Sequence, residues 1–457
     1  MTPPKAGFVT CVHPYYDLPA VTAHRDRAIQ CLTNAGCQVL QTPVPRSSSD
    51  ALEIAARLRA EGAEVIVLFF CTWVAEEIPL ALARETMDIP LLLWSLPYLD
   101  RDIPMPSPVS GLTSSGSNIR RLGKTFASVI GHVTEKKTAQ AMEAIRVGAV
   151  VRRLRQARFG IVGYPCPGML DVGVDEADLQ KTLGLTVVHL DLDRLVREAE
   201  AVPAAEAEAA AGRLMREAAP LEDIDPQTLA ENLRLYAAMK RLAEDNNLSA
   251  YCVRCWPELR DQRRLTMCAA HSLMAMDGLP SSCEVDLPAL VTTYLLNQLA
   301  DSPAFNFDVT GYLEEEDAIQ LGHCGAAHPA LAGDPSQVRI RRHMRTSTGA
   351  TVEFAFPAGP ATVAKLLRPI HGMLRLFASN GEVIPSGEVR GSVATFRPVG
   401  GAARLLDRML REPVEHHLAL AYGDHTSELA LFCDFTGLDY AQAAWLNLTI
   451  LPQNVRS

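Results

Sequence analysis

No stretch of the 457 residues approaches the ~20 continuous apolar positions that a membrane span requires. The opening residues 1–8 carry two prolines and one lysine and run straight into a strand-like segment, without the layout of a secretory signal. Positive charge is in deficit. Lys plus Arg number 43 against 53 Asp plus Glu, a net charge of −10, which disfavours nucleic acid and anionic membranes as partners. Tandem repeats are lacking. Cys252-x-x-Cys255 has no second pair of the same kind, as a zinc ribbon would need. The glycines of residues 160–173 (GIVGYPCPGMLDVG) form neither a G-x-G-x-x-G fingerprint nor a phosphate loop with its lysine, which argues against a nucleotide site.

What is present is apolar material, 48% of the chain, enough for several cores. At ~100–200 residues per domain the length implies two to four of them. The cysteines number eleven, an odd count, and most sit in apolar runs. Buried thiols in a reducing cytoplasm suit that pattern better than a disulfide framework.

Strand and helix alternate through the first third. Residues 7–13, 38–41, 65–70 (VIVLFF) and 90–94 (PLLLW) read as strands. Helices are expected over 21–35 and from a cap at Ser49 to residue 61. The continuous apolar runs are those of parallel strands covered on both faces. A long helix, 134–156, leaves this unit. A second alternation follows, with strands at 159–162, 185–190 and 249–253, and helices over 226–246 and 260–276. The alanine- and glutamate-rich stretch 198–211 reads as a solvated helix or helix pair. After about Pro335, short alternating segments punctuated by Gly and Pro appear at 337–343, 351–356, 361–367, 373–379 and 387–397, with a helix at 429–436. The expected architecture is two doubly wound α/β domains, 1–155 and 156–330, followed by a C-terminal antiparallel β-barrel-like domain, 331–457. Doubly wound sheets bind ligands beyond the carboxyl ends of their strands, here loops such as 71–77.

Residues that suggest chemistry concentrate late. Glu284, Asp308, His323 and His417 are each flanked by apolar or small residues. Acids and imidazoles in such settings are costly to bury unless paired or metal-bound. Two carboxylates with imidazole suit a hard-to-borderline divalent ion such as Mn²⁺. Each also has a structural explanation. Glu284, with Asp286, could simply sit in the first turn of a helix, where the dipole favours acids.

Four patches are decisive together: CEVD (283–286), FNFDVTGY with Asp308 at 24 residues beyond Glu284, LGHCG (321–325) and HHLALAYGDHTSEL (416–429). Their order and spacing resemble the L-fucose isomerase and L-arabinose isomerase superfamily, and CWPE (255–258) is similar to its short members. The resemblance implies a cytoplasmic, Mn²⁺-dependent aldose–ketose isomerase acting on a free or modified monosaccharide. It implies Glu284, Asp308 and His417 as metal ligands, and His323 as a further one in the arabinose-type arrangement. Glu284 and Asp308 would also move protons between C1 and C2 through an ene-diol; a hydride shift would use the same ligands. The alternatives are a non-catalytic sugar-binding or regulatory protein on this scaffold, or another metal-dependent carbohydrate lyase or epimerase.

Three further residues are candidates for sugar contact. Trp73 could stack on a sugar, in this family from a neighbouring subunit of a trimer or hexamer, or could pack at an interface. Trp256 lies in a loop after a strand, near the expected site. His425 could support the metal ligands or cap the helix that follows.

Overall fold

The computed structural model describes residues 2–442 apart from 17, 104, 219, 371, 388 and 389. The first sheet holds β1 (Lys5–Cys11), β2 (Gln38–Gln41), β3 (Val65–Phe70), β4 (Leu91–Ser95) and β5 (Phe126–Ile130). All are parallel, in the order β2-β1-β3-β4-β5. Every residue of β3 and β4 is buried, as the unbroken apolar runs require of strands covered on both faces. The second sheet is also parallel, ordered β7-β6-β8-β9, from β6 (Arg158–Val162), β7 (Thr186–Leu190), β8 (Ala250–Val253) and β9 (Ser281–Cys283). The helix Glu135–Gln156, capped by Thr134, joins the two sheets and buries half of its length.

A closed six-stranded antiparallel barrel follows. Its ring runs β16 (Ser392–Pro398), β11 (Ala318–His323), β10 (Phe305–Leu313), β17 (His417–Tyr422), β14 (Gly359–Ile370) and β15 (Met373–Ile384), and pairing of β15 with β16 closes it. β12 (Arg339–Arg342) and β13 (Ala350–Ala355) extend the sheet beside β16, and β18 (Asp439–Gln442) lies beside β15. The fold class is therefore the expected one. Two ring strands, β10 and β11, lie before the change in composition at about Pro335, so Asp308 and His323 stand on the barrel.

Local differences from the sequence reading have physical causes. The helix expected to start from Ser49 is capped by Ser47, which accepts from Asp50 N–H while the Asp50 carboxylate returns the bond. Residues 260–276 are not one helix. A single π-turn, Glu258–Gln262, is followed by Arg264 in the left-handed region (φ 60°), and the α-helix begins at Cys268. The stretch 198–211 falls across two helices, Leu192–Glu200 and Ala204–Glu217. The helix Leu287–Ala300 carries no clear polar stripe to mark its extent in the sequence. It is wedged between the second sheet and barrel strands β14 and β17, with eleven residues buried. Leu366 N–H on β14 donates to Thr292 Oγ1 on that helix at 2.8 Å, pinning barrel to helix.

The barrel's seam passes through Gly381, which pairs with Ala361 on one side and Pro398 on the other. A Cβ there would overlap the Arg397 carbonyl oxygen and press on the Phe396 ring at 2.7 Å. Gly381→Ala is expected to destabilise the chain by about 1–3 kcal/mol, the usual cost of overpacking. Urea unfolding measures it, and an unchanged midpoint would show that the seam is not tight.

Candidate metal centre and active site

Glu284 follows β9, the edge strand of the second sheet. Its N–H bonds to Val253 O at 3.0 Å, which fixes it to the carboxyl end of β8. Both Glu284 (φ 65°) and Val285 (φ 62°) occupy the left-handed region, which β-branched Val285 in particular avoids. Two such residues in succession store strain, and here they turn the Glu284 carboxylate out of the helix path. The helix itself starts at Leu287 with Asp286 as its cap, so Glu284 is not a first-turn acid.

Asp308 and His417 face each other across the β10–β17 ladder as directly paired residues. His417 is fully buried, and its Nε2 stands 3.0 Å from Asp308 Oδ1 and 3.2 Å from Glu284 Oε2. His323, the last residue of β11, completes the group. One donor atom each from Glu284, Asp308, His323 and His417 lies within 4.8 Å of the others.

Asp286 organises this cluster. It accepts Ala289 N–H at 2.7 Å to cap the helix, and its Oδ2 meets both Lys365 Nζ and His417 Nδ1 at 2.7 Å. Lys365, Asp286 and His417 are all buried to 1% exposure or less. Lys365 and burial-opposing bonds from His417 hold the Asp286 carboxyl far below its usual range, so it is ionised and can only accept. One His417 proton is thus fixed to Nδ1, and Nε2, turned toward Glu284 and Asp308, can bind an ion once its own proton is displaced. The Nδ1–H ring that remains is the tautomer a metal ligand needs. His323 makes the opposite choice. Its Nδ1 accepts Cys324 N–H at 2.9 Å, so the neutral ring carries its proton on Nε2.

The electrostatics favour a cation. Burial pushes Asp308 up, but the His417 hydrogen bond and the charges of His323, His417 and His416 outweigh it and bring the carboxyl down to about 2. Glu284 is held below its ordinary value in the same way, burial being overcome by His417 and His323. Burial opposes charge on His417, yet Asp286, Asp308 and Glu284 together raise its affinity for a proton. Glu284 Oε2 and His417 Nε2 are nonetheless buried without a hydrogen bond of proper geometry. Orphaned atoms of this kind, on an acid and an imidazole that face each other, fit a divalent ion between them.

Around this core, Trp256 Nε1 donates to Glu284 Oε1 at 3.3 Å, and the Arg260 guanidinium lies over its ring at 5.2 Å. The 160–173 stretch lines the site: Cys166 N–H donates to Glu284 O, and Asp171 Oδ2 pairs with His416 Nδ1 at 2.6 Å. Trp73 lies after β3, at the carboxyl end of the first sheet, and is 38% exposed. His425 is not brought to the cluster. It follows the far end of β17 from His417, with Nε2 on Tyr422 O at 2.9 Å and Nδ1 on Glu428 Oε2 at 2.5 Å. Its ring serves the start of the helix Thr426–Thr436. Sequence reasoning passed over Lys365, Asp171 and His416. Lys365 had a usable signal, a lone lysine inside the apolar run ATVAKLL.

Asp286→Asn should cost about 3–5 kcal/mol, because Lys365 is left buried without its counter-charge. It should also weaken divalent-ion binding ~10–100-fold by loosening the His417 tautomer. Adding Lys365→Met should restore much of the stability and none of the ion affinity. Thermal unfolding and Mn²⁺ calorimetry read the two effects; equal recovery of both would refute the division of roles. The pH profile carries a further expectation. Asp308, at about 2 when folded against ~3.9 unfolded, adds stability that is present above about pH 4 and lost as pH falls toward 2. Asp308→Asn should flatten acid unfolding in that window.

No family model matches the chain. It is 27% identical over 364 residues to a sulfoquinovose isomerase of Clostridium sp. (strain MSTE9), covering 78% of this chain and 81% of that protein. It is 25% identical over 344 residues to a sulfoquinovose isomerase of Priestia megaterium (strain ATCC 12872 / QMB1551), covering 74% and 77%. An L-arabinose isomerase of Aeromonas salmonicida (strain A449) is 24% identical over 343 residues, covering 70% and 66%. These relatives, together with two parallel sheets leading into a closed barrel, support the L-fucose/L-arabinose isomerase superfamily and an aldose–ketose sugar isomerase.

Proposed function

We propose that the protein is a Mn²⁺-dependent isomerase in which Glu284, Asp308 and His417 hold the ion. The observation that carries this reading is the convergence of those groups with Nε2 of His417 and Oε2 of Glu284 buried and without a hydrogen-bond partner. When bound, the ion would supply a positive charge that stabilises negative charge developing on the sugar's C1 and C2 oxygens. Glu284 and Asp308 are low enough in pKa to be carboxylates at neutral pH, so either can take the proton from C2 of the open-chain aldose. The same carboxylate, or its partner, returns a proton to C1 while the O2 hydroxyl proton passes to O1, which leaves the ketose. His323, with its proton on Nε2, offers a hydrogen bond to a substrate oxygen; as a fourth ligand it must first surrender that proton. Trp256 steadies Glu284 and gives the sugar an apolar wall.

The first substrate to test is sulfoquinovose, the sugar named by two relatives that the chain matches over about three quarters of its length. Arg254, directly after β8, supports an anionic substrate. It pairs with Glu258 at 2.7 Å, yet its Nε is buried with no partner, as is Glu258 Oε2. The eleven cysteines are all unpaired, which supports a reducing, cytoplasmic setting. Trp73, His13 and the 86%-exposed Tyr15 form an aromatic cluster beyond β1 and β3. That cluster supports a homo-oligomer, a trimer or hexamer, in which Trp73 meets a neighbour's sugar.

Glu284→Gln should keep the fold and lose ~10²–10⁴-fold in turnover from the missing acid/base alone, with bound Mn²⁺ reduced as well. Glu258→Gln should cost far less. Isomerisation in D₂O should place deuterium at C1 if the proton passes through an ene-diol; full retention of the substrate hydrogen would indicate a hydride shift instead. A Glu284→Gln protein with wild-type turnover and bound metal would overturn the assignment. For the shared site, inactive Trp73→Ala and Glu284→Gln chains should regain activity when co-assembled, since some sites would then draw a good residue from each. No recovery in verified mixed oligomers would confine Trp73 to its own subunit.

A further inference from the structure

A cavity of about 810 Å³ opens at the amino ends of β4, β5 and β7, whereas Glu284 stands at the carboxyl end of β9. Its walls are the segments that lead into β4, β5 and β7, the end of the joining helix Glu135–Gln156, and the end of the helix Thr426–Thr436. Four cations line it: Lys124, Arg152, Arg155 and Lys181. Asp88 is the one acid among its lining residues. The Asp88 carboxylate is already divided between Arg59 and Arg152, which hold it down at about 2 against its burial.

The remaining charge is met by neutral groups. Lys124 is 4% exposed, and its ammonium donates to the carbonyls of Thr86 and Ile89. Arg155 donates to Asp88 O at 2.9 Å and Met87 O at 3.4 Å. Carbonyls at the end of the helix Glu77–Glu85 therefore explain where Lys124 and Arg155 point. They do not explain Lys181, an exposed side chain that no described residue engages. Burial first, and then the neighbouring Arg155, push the Lys124 ammonium down to about 7, so Arg152, Arg155 and Lys181 supply the full positive charges at neutral pH. An 810 Å³ space is many times the ~30 Å³ share of one water, and is of the size that takes small organic ligands.

We propose that this cavity is a second binding site, separate from the sugar site, for a small metabolite carrying a tetrahedral oxyanion, a phosphate or a sulfonate. Fork-shaped guanidinium groups and an ammonium are the donors such a group takes. Because the walls come from both sheets and from the helix that follows β17, an occupant ties the three units together and stabilises the whole chain.

The test uses the full chain, with melting temperature and calorimetry read in inorganic phosphate, inorganic sulfate and D-glucose 6-phosphate, each against NaCl of equal ionic strength. A saturable rise in melting temperature beyond NaCl is expected, and the anion with the lower half-saturation identifies the head group. Lys181→Glu, at an exposed position where no packing is lost, should weaken binding roughly tenfold or more, the loss of a charge-assisted contact. Arg152→Gln should weaken it to a similar degree. Glu284→Gln, which disables the sugar site, should leave it unchanged. A rise matched by NaCl, or one that survives Lys181→Glu, would overturn the proposal. So would a rise abolished by Glu284→Gln, which would assign the binding to the sugar site.

Discussion

The carboxylate of Asp286 is the point on which the site depends. One oxygen caps a helix and the other is shared by a buried lysine and a buried imidazole. Each of those contacts belongs to a different part of the fold: the helix Leu287–Ala300, barrel strand β14 and barrel strand β17. A buried ion pair is expensive to assemble, and well-packed apolar residues could replace it without loss of stability. What apolar residues could not do is set the proton of His417 on Nδ1 and turn its other nitrogen toward two carboxylates.

Strain and packing serve the same end. Left-handed backbone at Glu284 and Val285 is unfavourable by itself, and it persists because Val253 O holds Glu284 N–H while the helix behind is locked by its cap. The helix is locked in turn because eleven of its fourteen residues are buried. The barrel supplies the opposite wall. Direct pairing of Asp308 with His417 across β10 and β17 fixes their separation by the geometry of a sheet and not by that of a loop. The second sheet contributes a carboxylate on a strained turn, and the barrel contributes a carboxylate and two imidazoles on a rigid ladder. The site exists where those two surfaces meet.

The remaining residues divide according to whether a local or a distant partner decides them. His425 sits near a candidate motif, yet its ring bonds to Tyr422 and Glu428, both three residues away. Lys365 sits in an unremarkable strand, yet it meets Asp286 across 79 positions of sequence. Asp171 and His416 are 245 positions apart and in contact. Proximity in sequence to a motif was therefore a poor guide to proximity in space, in both directions.

Continuous apolar runs by themselves determined the buried parallel strands, since strands such as β3 and β4, covered on both faces, leave no polar position to mark a surface. Residue type marked Glu284, Asp308, His323 and His417 as costly to bury alone, and the resemblance of their motifs to the isomerase superfamily implied them as ligands. Tertiary structure decided the rest. It alone set that the barrel begins at Phe305, because that boundary is a matter of which strands pair, and composition does not change there. It alone made Asp286 more than a helix cap and gave Lys365 a role, because a buried charge acquires meaning from the charge opposite it. And it alone chose the tautomers of His417 and His323, which follow from a single hydrogen bond at each ring, one from a distant carboxylate and one from the next residue's backbone.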